Sequence, residues 1–280
     1  MPVAAPTQIR FLDPTILRSI KSIELRARLL VEGMYASRHR CPYYGYIVEF
    51  KDYREYSPGD EPRTIDWKML ARTERFYVKR FEMESNMNVV PILDVSGSMG
   101  YRPTDRKRLT KLEYGSYLAA SLAYLASKQQ DSPGLVVFDR DIRTFLPPRQ
   151  GQRHLFTLLA GLEALKGEGV TDLVAALRKT ALRLRRRGLL ILISDCHGEE
   201  SGVIDAIKQL AARGHDLVVF HLLDQDEVEF PFQMLTSFRD VESNAQLMCD
   251  PLRQRPEYQR RLAAFRDMIR DGSLAGGADY

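Results

Sequence analysis

Short apolar runs alternate with longer amphipathic segments from about residue 86 onward. The runs at 89–93, 135–138, 189–193 and 217–223 have the length and apolar content of buried strands. Another run at 142–145 follows a polar turn and is expected to pair antiparallel with its predecessor. Helical spacing fills the intervals at 111–130, 153–165, 172–186, 202–213 and 256–270. The pattern predicts an α/β fold over residues 86–280, with a doubly wound, mostly parallel sheet of Rossmann type flanked by helices.

The first 85 residues follow a different pattern. An amphipathic helix is predicted over 14–35, an irregular segment rich in aromatics, Pro and Gly over 42–66, and a half-exposed strand over 76–81. Residues 1–85 are therefore predicted to form an N-terminal accessory α+β region, separate from the main domain.

Composition narrows the class of protein. The chain has 280 residues, a formal net charge of +4, and three scattered cysteines without CxxC spacing, which argues against a disulfide framework or a zinc knuckle. The net charge gives no general footprint for nucleic acid. No apolar run approaches the roughly 20 residues of a membrane span, and no signal peptide opens the chain. A cytoplasmic protein without a membrane span is expected.

Three loops carry candidate chemistry at the predicted carboxyl ends of strands or at a helix start. The first holds Asp94, Ser96 and Ser98 in the sequence DVSGSM, the second holds Thr171, and the third holds Asp195. Ligands of doubly wound sheets bind where such loops meet. Two carboxylates and three hydroxyls suit a hard divalent cation, Mg²⁺ first and Mn²⁺ or Ca²⁺ as alternatives.

These three loops resemble the metal-ion-dependent adhesion site of von Willebrand factor A domains. The resemblance rests on DVSGSM, the helix KLEYGSYLAASLAYLA, residues 169–172 and the tripeptide ISD at 193–195. It implies direct ligands at Ser96, Ser98 and Thr171, with Asp94 and Asp195 reached through water. It also implies that a carboxylate from a protein partner completes the coordination sphere.

A longer motif is similar to the hallmark of the bacterial domain-of-unknown-function-58 family. It reads GDEPRTIDWKMLARTERFYVKRFEMESNMNVV over residues 59–90, and weaker similarity extends over nearly the whole chain. The resemblance implies association with a MoxR-type AAA+ ATPase or its client, in the assembly or maturation of other proteins.

The block at 59–72 is a second candidate for binding. Charged side chains surround the only tryptophan, and the set comprises Arg54, Asp60, Arg63, Asp66, Trp67 and Arg72. Arginine pairs with carboxylates and stacks on aromatic rings. The block is therefore either an internal contact between the accessory region and the main domain, or a surface that binds a partner.

The expectation is a non-enzymatic, metal-dependent protein-binding module, and two alternatives stay open. In one, the metal site is empty and the surface at 59–72 binds the partner. In the other, Asp94 is the nucleophile of a Mg²⁺-dependent phosphoryl transfer. Ser96 stands where dehalogenase-type phosphatases carry a second aspartate, which disfavours the enzyme.

Overall fold

The computed structural model describes residues 48–57, 65–83, 87–198, 200–240 and 245–280. They belong to two compact units, one within residues 40–86 and the other containing residues 87–280. The helix predicted at 14–35 lies outside the described residues. The assignment of residues 1–85 to one accessory region therefore stays a prediction.

The smaller unit contains an antiparallel pair of strands, β1 (Val48–Glu55) and β2 (Tyr77–Met83), and a short helix, α1 (Trp67–Thr73). The prediction of an irregular segment over 42–66 was wrong for β1. A register shift between Phe50 and Asp52 interrupts the two-residue alternation by which a strand is recognised in sequence. The strand predicted at 76–81 is confirmed, displaced by one or two residues.

The larger unit is built on a seven-stranded sheet. Its strands are β3 (Asn88–Asp94), β4 (Ser132–Pro133), β5 (Leu135–Phe138), β6 (Ile142–Leu146), β7 (Gly188–Ser194), β8 (Asp216–His221) and β11 (Ala278–Asp279). Their order in the sheet is β11-β8-β7-β3-β5-β6, and the short strand β4 also pairs with β3. All neighbours are parallel except β5 and β6. The predicted mainly parallel sheet, and its one antiparallel pair, are confirmed.

Helices cover both faces of this sheet, and its central strands are therefore buried on both sides. The helices of this unit are α2 (Lys111–Lys128), α3 (Gln152–Glu163), α4 (Leu173–Arg183), α5 (Glu200–Ala212), α6 (Gln225–Glu229) and α7 (Pro251–Ala275). Val89 and Leu93 of β3 pack with α2 and α3, whereas Val90 and Ile92 pack with α4 and α5. Successive residues of one strand thus contribute to two cores.

The larger unit differs from the sequence prediction in the bounds of some helices and in elements that were not predicted, among them β4, α6 and β11. Helix α7 begins at Pro251 rather than 256, because Asp250 caps it and Pro256 is tolerated inside it. Helix α4 ends at Arg183, since Leu184 adopts an extended conformation. A hairpin of β9 (Thr236–Arg239) and β10 (Gln246–Cys249) was not predicted. Within the described ranges, no helix combines the length and apolarity required to span a membrane.

Candidate functional site

The switch in strand order places the three predicted loops together. The chain leaves β3 toward β5 on one side and later returns to pair β7 on the other, and ligand sites of doubly wound sheets form at such a point. Leu93 of β3 is paired with Ile193 of β7. Asp94 directly follows Leu93, and Asp195 is the second residue after Ile193. The two carboxylates therefore lie at the same edge of the sheet.

The first loop folds tightly around its own carboxylate. Asp94 Oδ1 accepts a hydrogen bond of 2.9 Å from the backbone N–H of Ser96. The hydroxyl oxygens of Ser96 and Ser98 lie 3.0 Å apart. Asp94 and Ser96 are fully buried, while Ser98 is half-buried. The loop therefore presents two hydroxyls above a buried carboxylate, with Ser98 nearest to solvent.

Backbone hydrogen bonds join the second loop to the first. Gly97 N–H donates to the carbonyl of Gly169 at 2.9 Å, and Glu168 N–H donates to that of Val95 at 3.0 Å. Thr171 Oγ1 lies 3.5 Å from Asp94 Oδ1. Asp172, not Thr171, caps α4 by accepting from Ala175 N–H. Thr171 therefore directs its hydroxyl toward the first loop and does not cap the helix.

Two glycines permit this close approach of the loops. A Cβ added at Gly167 would lie 2.8 Å from Gly100 Cα and 3.3 Å from the Ser96 carbonyl oxygen. Because both neighbouring groups are backbone, a side chain here would push the loops apart. Gly167 thus allows the short distance between the second loop and the DVSGSM loop, although Gly167 is not one of the predicted ligands.

The third loop contributes a residue that the sequence reading did not single out. Ser194 Oγ donates a hydrogen bond of 2.7 Å to Asp94 Oδ2 and accepts one of 2.9 Å from Cys196 N–H. Asp195 is fully buried, and Cys196 is buried with a positive φ of 56°. Ser194 therefore orients Asp94, and the buried Asp195 follows it directly in the chain.

A buried lysine, also missed from the sequence, lies against this third loop. Lys111 Nζ is 2.8 Å from Asp195 Oδ2 and 2.8 Å from Glu227 Oε1, and its side chain is only 3% exposed. Lys111 is the first residue of α2, after the capping Thr110. A cation at a helix N-terminus is unfavourable because it opposes the helix dipole. A lysine at this predicted helix start was therefore the feature of the sequence that could have indicated a nearby anionic partner.

The two carboxylates of the site consequently differ in acidity. Burial raises the pKa of Asp94 to about 6, and the nearby charge of Asp195 adds to the effect. Burial also opposes ionisation of Asp195, but the Lys111 ammonium outweighs it and lowers the pKa of that carboxyl. Asp94 is the carboxylate that lacks compensating positive charge.

The donor set fits a hard cation. Ser96, Ser98, Thr171 and Asp94 supply only oxygen, which Mg²⁺ and Ca²⁺ prefer. In the described ranges, no cluster of three or more His, Cys, Asp or Glu side chains could hold a metal ion. A cation bound by these loops would therefore depend on hydroxyl ligands.

An open cavity of about 470 Å³ lies beside Ser98. Aromatic rings line it, and the Phe230 ring centroid lies 4.5 Å from that of Tyr258 and 5.3 Å from that of Phe232. Glu227, which binds Lys111, also lines the cavity. The hydroxyl edge of the candidate metal site is thus continuous with an aromatic surface.

The second predicted surface falls in the smaller unit, and Asp60 and Arg63 lie outside the described residues. Asp66 caps α1, since its Oδ1 accepts from Lys68 N–H at 2.9 Å, and its Oδ2 accepts from the Tyr53 hydroxyl at 3.1 Å. Trp67 is 62% exposed. Asp66 therefore has a structural role, while binding by the other residues, including Arg54 and Arg72, stays a prediction.

The fold and site define a mixed α/β protein with a mainly parallel sheet, flanked by helices, that gathers three polar loops at one edge. The chain belongs to the family described as "Protein of unknown function DUF58", whose model matches residues 52–268.

Uncharacterised proteins of Mycobacterium tuberculosis and Mycobacterium bovis are 26% identical to it over 259 residues, which cover 91% of this chain and 80% of theirs.

Two solved structures from Bacteroides are similar to this chain. An aerotolerance-related membrane protein of Bacteroides fragilis is 19% identical with a TM-score of 0.49, over 69% of this chain and 90% of that one. The conserved hypothetical protein BatB of Bacteroides thetaiotaomicron is 18% identical with a TM-score of 0.48, over 69% and 88% respectively.

Proposed function

We propose that this protein is a non-enzymatic binding module of von Willebrand factor A type, which holds a divalent cation and uses it to bind a carboxylate of a partner protein. The observation that carries the proposal is the convergence of Ser96, Ser98 and Thr171 around Asp94. These side chains would hold Mg²⁺, or alternatively Mn²⁺ or Ca²⁺, and Asp195 would contribute through water.

The charge of Asp94 supports a cation at this position. Asp94 is fully buried and takes part in none of the ion pairs found in the described part of the chain. A buried carboxylate without a counter-ion is costly. A divalent cation would supply the missing positive charge, and the neutral hydroxyls would leave part of that charge for an acidic ligand.

The hydrogen bonds of Asp94 favour binding over phosphoryl transfer. Oδ1 accepts from Ser96 N–H and Oδ2 accepts from Ser194 Oγ. A nucleophilic carboxylate needs an oxygen that can approach the phosphorus atom. Both oxygens of this side chain are engaged and buried, which supports a role in holding the loop and the cation.

The surroundings of Ser98 favour a protein as partner. Next to the aromatic cavity, the hairpin region carries large apolar side chains that are 66% to 82% exposed, namely Met234, Leu235, Leu247 and Met248. Exposed apolar patches of this kind are typical of protein interaction sites. From the family resemblance, we propose a MoxR-type AAA+ ATPase or its client as the partner.

Thermal unfolding with and without metal tests the cation site. Wild type, Ser98→Ala and the control Ser127→Ala, at the far end of α2, are compared in EDTA and then in millimolar Mg²⁺ or Mn²⁺. A ligand that binds only the native state stabilises it by about 2.7 kcal/mol at 100 times its Kd. We expect a metal-dependent rise in Tm for wild type and Ser127→Ala, and none for Ser98→Ala.

The wild type in this experiment, together with one further variant, Asp94→Asn, separates the proposal from its alternatives. A wild type that folds normally and shows no metal-dependent rise would contradict the cation site. Hydrolysis of p-nitrophenyl phosphate that is lost in Asp94→Asn would contradict the non-enzymatic role.

The exposed Trp67 favours a second candidate function, in which the surface at 59–72 binds the partner without metal. Under that alternative, Trp67→Ala abolishes partner binding measured with the MoxR-type ATPase encoded nearest to this protein, and Ser98→Ala does not. Under the metal-dependent proposal, Ser98→Ala abolishes binding, and EDTA has the same effect on wild type.

A further inference from the structure

Lys111 carries a positive charge into the candidate metal site. Its Nζ donates to Asp195 Oδ2 and to Glu227 Oε1, both at 2.8 Å. The side chains of Lys111 and Asp195 are 3% and 0% exposed. Contacts this short and this buried are charge-assisted hydrogen bonds that water and salt screen little. The ammonium is therefore a fixed part of the site.

Asp195 is also the carboxylate through which the third loop would serve a cation. In the structure its Oδ2 is held by Lys111, while its Oδ1 lies 3.4 Å from the backbone nitrogen of His197. A divalent cation at the first loop and the ammonium would both draw on the negative charge of this one carboxylate. Two cations that share a buried anion repel each other.

We infer that Lys111 is an internal competitor of the divalent cation, so that it stabilises the metal-free protein and weakens metal binding at the three loops. The inference rests on the proposed cation site and adds a residue that sets its affinity. Lys111 acts through Asp195 and is a positioning residue, with no contact to the metal required.

Removal of the ammonium has two linked consequences. Lys111→Met leaves Asp195 buried without its counter-ion, and the metal-free protein then unfolds at a lower urea concentration. The same unpaired carboxylate becomes available to a cation, and the repulsion from the ammonium is gone. Metal affinity therefore rises while metal-free stability falls, an opposite pair of changes that a general loss of folding does not produce.

The test measures Mn²⁺ binding directly, by the electron paramagnetic resonance signal of free Mn²⁺, together with urea unfolding in EDTA. Lys111→Met is compared with wild type and with Lys111→Arg, which keeps the charge. If the single variant Lys111→Met unfolds, the double variant Lys111→Met/Glu227→Gln replaces it. The double variant also removes the charge of Glu227, the second carboxylate that Lys111→Met leaves without its ion-pair partner. The readouts are a dissociation constant and an unfolding midpoint.

We expect Lys111→Met, alone or with Glu227→Gln, to lower the Kd for Mn²⁺ by about tenfold or more, with Lys111→Arg close to wild type. Equal or weaker Mn²⁺ binding by the Met variants, beside a wild type that binds, overturns the inference and leaves the proposed function intact. Binding by the Met variants alone supports the inference and contradicts a cation in the wild type. Absence of binding in every variant overturns both.

Discussion

Strands β3 and β7 lie side by side in the sheet, and each leads into a buried carboxylate. The pKa values of these two carboxylates are shifted in opposite directions. Asp94, at the end of β3, is bound by neutral hydrogen-bond donors, and its pKa is raised to about 6. Asp195, directly after β7, is bound by the Lys111 ammonium, and its pKa is lowered. Both are fully buried, so the partner, and not burial, accounts for the difference in pKa between the two carboxylates.

The comparison bears on what each strand end can do. A carboxylate already paired with an internal cation contributes to folding without help, whereas one that lacks a counter-ion weakens the fold until a cation arrives. The site thus combines a stabilised half and a cation-deficient half. Four substitutions test this division, and all four are to be measured in EDTA so that no metal intervenes.

The largest effect is expected from Asp195→Asn. The substitution takes one of two anions from the buried Lys111 and should lower the free energy of unfolding by about 4 kcal/mol, as for other broken buried pairs. Urea denaturation at pH 7.5 measures it. Asp205→Asn, on the exposed side of α5, is the matched control. A loss below about 1 kcal/mol would show that Glu227 alone satisfies Lys111.

Asp94→Asn should change stability in the other direction. The folded pKa of about 6 exceeds the ordinary value of 3.8, so ionisation costs wild type stability as the pH rises from about 4 to beyond 6. Asn cannot ionise, so the variant does not pay the cost of a buried charge. At pH 7.5 we expect the variant to be about 2 kcal/mol more stable, although it forfeits metal binding.

The gain from Asp94→Asn should disappear in urea titrations below about pH 3. This pH lies under both the folded pKa of about 6 and the ordinary value of 3.8, so wild-type Asp94 is then protonated in the folded and in the unfolded state. A variant that is less stable than wild type at pH 7.5 would mean that the hydrogen bonds from Ser96 and Ser194 outweigh the buried charge.

Asp226 offers a third carboxylate that is paired like Asp195. Burial opposes its ionisation, but hydrogen bonds from Thr104 N–H and Arg108 lower its pKa to about 2. Stability from this group is present above about pH 4 and is lost as the pH falls toward 2. Asp226→Asn should cost about 1.5 kcal/mol at pH 7, and much less as the pH approaches the folded pKa of about 2. The exposed Asp105, replaced in the same way, is the control for urea unfolding.

Gly167→Ala should have the smallest effect, about 1 kcal/mol of destabilisation. The added Cβ would meet the backbone of Gly100 at 2.8 Å and displace the second loop from Asp94. Gly161→Ala is the control, because nothing lies within 4 Å of its Cβ and alanine favours the helix. Thermal unfolding should therefore show a lower Tm for the first variant and a higher Tm for the second.

Hydrophobic periodicity predicted the central sheet because its strands are buried on both faces. Residues 135–138 were predicted with the observed bounds, and β3 and β7 within one residue at each end. The hairpin of β9 and β10 escaped because its residues are mostly exposed and carry no clear apolar alternation. Strand β1 escaped because of its register shift.

The candidate site was predictable where spacing carries the signal. Asp94, Ser96 and Ser98 alternate along one loop. Thr171 precedes a helix, and Asp195 follows a strand, that the periodicity located. Lys111 comes from 84 residues earlier than its partner Asp195, and only the packing of α2 brings them together. Ser194 was predicted to lie in the third loop but not among the ligands, because its hydrogen bond to Asp94 depends on the register between β3 and β7.

The backbone hydrogen bonds between the first two loops have a consequence for redesign. Main-chain groups of Gly97, Val95, Glu168 and Gly169 hold the loops in place without using any candidate ligand. Individual oxygen donors are therefore exchangeable without loss of the loop framework. Ser98→Asp, for example, adds a carboxylate at the solvent side of the cluster, and a library at this one position would turn the sheet edge into a template for ion selectivity.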